Sequence, residues 1–288
     1  MASNLVQRVG FAAGAIPVVL AVVWLGGWPL AALVAVVGVL GTREVLGFAR
    51  LQGIGPVAAP AYLAAAGLPL LAGAALGSPS VGGWLAEWLP HLAAGWVVVV
   101  LTWVMAARRS DQRPLTAAAL TLLAPVYTAA LPAFLLGIRH AGHGERSWAG
   151  TVLVFFPLVV TWVCDSAAMF VGKAVGGPKL APVISPGKTR SGGIGGLAGA
   201  VGAAVLWDQL VLAPHGVGIG PARALVFGAV LGVVGQVGDL VESHFKREVG
   251  LKDSSALIPG HGGALDRFDS LYFVLPVAAA LLRWFSPS

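Results

Sequence analysis

Apolar residues run along this chain in blocks of about 17 to 25 positions, the length at which a helix crosses the roughly 30 Å hydrocarbon layer of a bilayer. The alternation of apolar and polar residues that a membrane β-barrel would require is absent from these blocks. The pattern therefore predicts an all-α, polytopic integral membrane protein with about nine transmembrane helices. They are expected near residues 9–27, 29–42, 57–77, 91–107, 115–138, 149–171, 192–213, 221–241 and 270–285. The second block is short, and Gly26, Gly27 and Pro29 make it the return arm of a helical hairpin with the first. Arg8 ahead of the run from Phe11 to Leu25 resembles a signal peptide, but many further spans follow, so the run reads as the first membrane helix.

Composition agrees. The 288 residues are 57% hydrophobic and 10% charged, with mean hydropathy +0.85, where a soluble domain would carry about 25% charged residues. The single cysteine, Cys164, excludes an intrachain disulfide and a thiolate zinc cluster. A net charge of +6 would suggest nucleic acid in a soluble domain. Here the basic residues lie in short connections between spans, which favours topology and phosphate binding, and no nucleic-acid partner is expected.

When alternate connections are assigned to opposite faces, 14 of the 18 Lys and Arg residues share one side, and only Arg139, Arg146, Arg223 and Arg283 fall on the other. The positive-inside rule makes the rich side cytoplasmic. The expectation is a multi-pass protein of the cytoplasmic membrane, with the N-terminus and active site inside and the C-terminus outside. Residues 1–145 read as a scaffold of about five helices and 146–288 as the helices carrying the site, together one integrated membrane domain. Small residues four apart, Gly10 with Gly14, Gly192 with Gly196, Gly195 with Gly199 and Gly228 with Gly232, predict close helix packing. Trp24, Trp28, Trp148 and Trp284 fall near span ends, where indoles anchor at the headgroup level.

Against this background, Gly238 to Asp269 stands out, with six acidic residues and four Lys or Arg in a chain otherwise poor in charge. Each charge costs roughly 2.5–3.5 kcal/mol at the centre of a membrane helix, so a dense cluster at the membrane boundary points to chemistry. Asp239 and Glu242 are three apart at the end of the eighth span, on one helix face, and Asp266 and Asp269 repeat the spacing at the start of the ninth. Hard oxygen ligands in this arrangement suit Mg²⁺. The alternative is a solvated network with Lys246, Arg247, Lys252 and Arg267. Between the acids, Pro259-Gly260-His261-Gly262-Gly263 is a loop whose glycines allow positive φ and close approach of backbone to a phosphate, or a turn that simply breaks the helix. His261 has no second His or Cys at ligand spacing.

A second cluster runs from Asp165, inside the sixth span, to Thr189. An acid within an apolar helix marks either a functional site or a helix-to-helix hydrogen bond. Lys173, Lys179 and Lys188, set among glycines and prolines, make a rigid basic loop suited to a polyphosphate, or a merely topogenic one. Gly187-Lys188-Thr189 is not a Walker motif: Pro182 stands where the first glycine is required, and no strand is expected before it.

Together the clusters resemble the phosphatidate cytidylyltransferases, or CDP-diacylglycerol synthases. The likeness lies in Ser243-His244-Phe245-Lys246-Arg247, Lys252-Asp253, Ile258 through Gly263, and Leu265-Asp266-Arg267-Phe268-Asp269. Upstream it includes Asp165-Ser166, Phe170, Gly172, Lys179 through Pro182, and Ser185 through Thr189. Met169, Arg190, Ser191 and Ser255 depart from the family's usual residues without removing a charge from the centre. The resemblance implies attack by the phosphate of phosphatidic acid on the α-phosphorus of CTP, giving CDP-diacylglycerol and pyrophosphate.

It also implies roles. Asp239 and Asp266, with Asp165, Glu242 or Asp269, would hold one or two cations, at least one of them Mg²⁺. Lys246, Arg247, Lys252 and Arg267 would act in catalysis. Lys173, Lys179, Ser185, Lys188, Thr189, Ser243, Lys246, Arg247, His261, Gly262 and Gly263 would contact substrate. The partners implied are CTP, phosphatidic acid, membrane lipid and a second copy in a homodimer. The alternatives are a related phosphotransferase acting on another lipid phosphate and an ion or proton transporter using Asp165, Asp239 and Glu242. The paired-aspartate run of CDP-alcohol phosphatidyltransferases is absent.

Overall fold

A computed structural model describes residues 2–257 and 262–285, with side chains from residue 13. Among the described residues, eight helical segments are long and apolar enough to cross a membrane. The remaining expected span falls on α1 (Ala2–Leu25), of which Ala13–Leu25 counts as a shorter apolar piece. The substrate contact expected of His261 lies outside the described residues.

The chain divides into two compact units, Met1–Leu136 with Val249–Arg267, and Gly137–Glu248 with Phe268–Ser288. The division falls at 136/137 rather than 145/146, and the segment 249–267, expected with the C-terminal half, groups with the first unit.

In the first unit α2 spans Gly27–Leu51, well past the expected end at residue 42. The helix continues because its polar residues are accommodated: Arg43 and Arg50 are exposed, and Glu44 is buried but hydrogen-bonded. Only Ser78 separates α3 (Ala58–Gly77) from α4 (Pro79–Ala107), where Pro79 at the first helical turn needs no N–H partner and starts the span earlier than residue 91. The next span joins α5 (Pro114–Pro125) through a π-turn at Val126–Ala130 to α6 (Leu131–Arg139). Pro132 cannot donate to the carbonyl four residues back, which interrupts the helical ladder at this point. The turn is pinned to α2: Thr128 Oγ1 donates to the Gly38 carbonyl at 3.0 Å and lies 2.7 Å from Thr42 Oγ1. A Cβ on Gly38 would fall 2.7 Å from that of Ala129, so only glycine permits the approach.

The second unit is built on α7 (Trp148–Val175), α8 (Arg190–Trp207) and α9 (Pro221–Glu248), with most of α10 (Leu265–Phe285). The glycine stripes expected here do pack closely. A Cβ on Gly195 would meet Val171, one on Gly199 would meet Ala167, and one on Gly196 would meet Ala168 and Cys164, all on α7. Gly228 and Gly232 on α9 are pressed likewise against Ala200, Ala204 and Leu197 of α8. At Gly14, by contrast, a Cβ would meet nothing within 4 Å among the described residues, so no close helix approach is made at that position. Phe156 stacks on Phe227 with ring centroids 4.1 Å apart. Trp28, Trp148 and Trp284 are exposed, as lipid-facing anchors would be.

The all-α architecture carries one short local addition. Residues between α7 and α8 form an antiparallel hairpin, β1 (Lys179–Ala181) with β2 (Ser185–Thr189), pairing Lys179 with Thr189 and Ala181 with Ser185. The basic segment is thus a short hairpin, and a strand does precede the start of α8. It belongs to a two-stranded ribbon, with Pro182 still occupying the position where a Walker motif needs glycine.

Candidate active site

In the second unit, α7, the hairpin, α8 and α9 enclose a pocket of about 280 Å³ lined by Asp165, Lys173, Gly187, Lys188, Thr189, Gly193, Gln236 and Asp239, with Ala168, Met169, Gly172, Leu180 and Gly192. Sequence-distant elements meet here because Gly172 and Gly192 let α7 and α8 touch. A Cβ on Gly172 would come within 2.9 Å of Thr189 Oγ1, and one on Gly192 within 2.7 Å of the Ala168 carbonyl. The hairpin then carries Lys188 across to α9, where its Nζ pairs with Asp239 Oδ2 at 2.5 Å. Ser243 Oγ, one turn along α9, donates to Asp239 Oδ1 at 3.3 Å.

Asp165, Asp239 and Asp269 lie within electrostatic range of one another and of Lys188. These three acids, opposed by Lys188 and, at Asp269, also by Lys246, gather negative charge in a low-dielectric setting, where charges interact strongly. Among the described residues no three Asp, Glu, His or Cys side chains converge into a ready-made metal cage. The donor set still fits Mg²⁺, which prefers hard oxygens, keeps several waters and is usually held by one or two carboxylates together with substrate phosphates.

Other expected residues take different places. Glu242 is 1% exposed and pairs with Lys246 at 2.5 Å, one turn along α9. The two acids on that helix face are thus each met by a lysine, Asp239 by Lys188 and Glu242 by Lys246, and neither member of the second pair lines the pocket. Arg247 Nε reaches the Ile184 carbonyl at 3.3 Å, tying the end of α9 to the hairpin. Thr189 caps α8, accepting from Gly192 N at 3.1 Å. Gly176 and Gly177, with φ of 66° and 98°, make the turn out of α7 that only glycine takes without strain. Lys179 is exposed at the start of β1, and Ser185 begins β2.

The signature segment of the first unit is organised around two carboxylates. Asp266 Oδ2 accepts from Ser254 N at 2.8 Å, Ser254 Oγ at 2.7 Å and Gly263 N at 2.8 Å. Glu44, 7% exposed, accepts at Oε1 from Ser255 Oγ at 2.7 Å and Ala264 N at 3.0 Å and at Oε2 from Leu265 N at 2.8 Å, and its Oε2, 2.9 Å from Ser254 Oγ, shares that hydroxyl's single proton with Asp266. Glu44 therefore satisfies two backbone N–H groups at the start of α10, which a helix cannot satisfy internally. Gly262, at φ 80°, has Asp266 Oδ2 where a Cβ would sit, and Gly263 has Ser254 and Glu44 there. These glycines make room for carboxylates of the protein. Lys252 and Arg267 are exposed in this unit.

Sequence reasoning missed Glu44, Ser254 and Gln236. Gln236 Nε2 donates to the Gly193 and Gly232 carbonyls at 3.2 and 3.0 Å, a polar clasp between α8 and α9 at the pocket wall. The available signals were an acid and an amide inside otherwise apolar helical runs.

With eight membrane-length apolar helices among the described residues, and a pocket lined by acids and lysines between helices of the second unit, the chain has the build of a polytopic membrane protein. The sequence model of the cytidylyltransferase family matches residues 6–285, and the chain belongs to that family. A phosphatidate cytidylyltransferase of Brucella suis biovar 1 (strain 1330) is 51% identical over 142 residues, 49% of each chain. One from Bacillus subtilis (strain 168) is 45% identical over 137 residues, 48% of this chain and 49% of the relative. One from Staphylococcus saprophyticus is 40% identical over 153 residues, 51% of this chain and 57% of the relative. The chain spans about half the length of the curated relatives it matches.

Proposed function

We propose that this protein transfers CMP from CTP to phosphatidic acid, giving CDP-diacylglycerol and pyrophosphate, at the cytoplasmic face of the membrane. The observation that carries the reading is the pocket in which Lys173 and Lys188 face Asp165 and Asp239 amid apolar helices. The names of the relatives supply the substrate class. A phosphate oxygen of phosphatidic acid attacks the α-phosphorus of CTP, and the new P–O bond forms as the bond to the bridging oxygen of the β-phosphate breaks. The electron pair of that bond leaves on pyrophosphate. The nucleophile is already anionic near neutral pH, so a strong base is dispensable, and the main barrier is repulsion between two anions.

Lys188 and Lys173 offset that repulsion and align the triphosphate, the usual form of catalysis in phosphoryl transfer. Asp239 holds Lys188 in place until the nucleotide competes for it. Asp165, Asp239 and Asp269 would hold Mg²⁺, which when bound supplies charge neutralisation to the phosphate oxygens. Asp266 contributes by ordering the segment from Ser254 to Gly263.

Transfer from CTP labelled at the α-phosphorus or at the γ-phosphorus tests this, with phosphatidic acid or a polyprenyl phosphate as acceptor. The expected result is Mg²⁺-dependent α-label in CDP-diacylglycerol when phosphatidic acid is the acceptor and in no lipid when the polyprenyl phosphate is, with γ-label in pyrophosphate. No lipid labelling, or labelling of the polyprenyl phosphate only, would overturn it.

A further inference from the structure

A second and larger cavity, about 470 Å³, lies within the first unit, inside the range of small-molecule sites. Its α2 wall is Leu40, Arg43, Glu44, Gly47, Phe48 and Leu51, residues at intervals of three and four that share one helix face, with Arg50 at the rim. Leu251 and Leu257 form the opposite apolar wall. Arg43 and Arg50 are exposed, and among the described residues neither has a carboxylate partner. The one acid among the described residues lining the cavity, Glu44, is already hydrogen-bonded by Ser255, Ala264 and Leu265 and shares the Ser254 hydroxyl, so its charge is spread onto them. Arg50 stands in the last turn of α2, where the helix leaves the apolar span.

From this we infer that the cleft is a binding site for an anionic phospholipid, whose phosphate meets the Arg43 and Arg50 guanidiniums while an acyl chain lies along Leu40, Gly47, Leu51 and Leu257. Arginine forks match phosphate oxygens geometrically, which a zwitterionic headgroup's choline would partly mask. The apolar wall gives acyl methylenes a surface to bury against, which is what separates a lipid from free phosphate as occupant. The inference does not rest on the proposed transfer reaction.

The test uses the full chain in detergent and native mass spectrometry to titrate bound phosphatidylglycerol, a phosphodiester that cannot serve as the attacking phosphomonoester. Phosphatidylcholine of the same chains and inorganic phosphate are the comparison arms. Phosphatidylglycerol is expected to bind at least tenfold more tightly than phosphatidylcholine. R43Q/R50Q should remove that preference, while R109Q/R113Q, which deletes the same charge from an exposed loop, should keep it. Gly47→Phe fills the cleft from a position where a Cβ meets nothing within 4 Å, so it should fold and weaken lipid binding severalfold. Equal binding of the two lipids, equal affinity in R43Q/R50Q, or capture of inorganic phosphate alone would overturn the inference.

Discussion

Glu44→Gln is the sharpest probe of how the signature segment is held. The substitution keeps the side chain's shape but replaces one carboxylate oxygen with an NH₂ group. Each oxygen of Glu44 serves one serine hydroxyl and one backbone N–H of the segment entering α10. A hydroxyl can rotate to accept from the amide, whereas a backbone N–H cannot. In either amide orientation, the N–H of Ala264 or Leu265 then faces another donor inside a buried site. Leaving one buried donor unmet costs about 1–3 kcal/mol. At about 1.4 kcal/mol per tenfold, local opening should rise roughly five- to hundredfold. Hydrogen–deuterium exchange on a peptide spanning residues 262–270 reads this directly, and Glu44→Ala, which strips all four partners, should open the segment further. Wild-type protection in both variants would refute the assignment of Glu44 as the clamp of this segment.

Lys188→Met should raise the KM for CTP at least tenfold while Lys188→Arg recovers part of it, because the pairing with Asp239 at 2.5 Å shows the ammonium placed inside the pocket; steady-state kinetics at varied CTP checks this. Gly195→Val or Gly228→Val should destabilise the second unit by about 1–3 kcal/mol through overpacking, since even a Cβ would fall 2.5 Å from Val171 or 2.7 Å from the Ala200 carbonyl. The lone thiol of Cys164, 2% exposed against Gly196, should then react with a maleimide at lower temperature than in the wild type. Chelation with EDTA should abolish CTP-to-lipid transfer, and added Mg²⁺ should restore it; turnover unaffected by the chelator would remove the divalent ion from the proposal.

The spans were legible because a bilayer imposes one length on every apolar run, and the α7–α8–α9 contacts because small residues four apart have few other uses in such helices. Asp165, Asp239 and Lys188 were legible as charges where charges are costly. What pairs with what was not. The ion pair of Lys188 with Asp239 spans 51 residues, and it depends on a hairpin whose two strands of three and five residues are too short to show a strand pattern. Glu44 was hidden twice: its helix was expected to stop at residue 42, and its partners lie more than 200 residues away. The glycines at 262 and 263 were visible, but their meaning was not, since the space they leave is filled by Asp266 and Glu44.

The central claim is that the carboxylates and lysines of the second unit's pocket perform the transfer. Asp239→Asn measures it most directly: CTP-to-phosphatidate turnover in purified protein at saturating Mg²⁺, with Cys164 still shielded as proof of folding. The account predicts a loss of about 10²- to 10³-fold, the size seen when a charge-organising group is removed from a reacting site. Full wild-type turnover in that variant would contradict it.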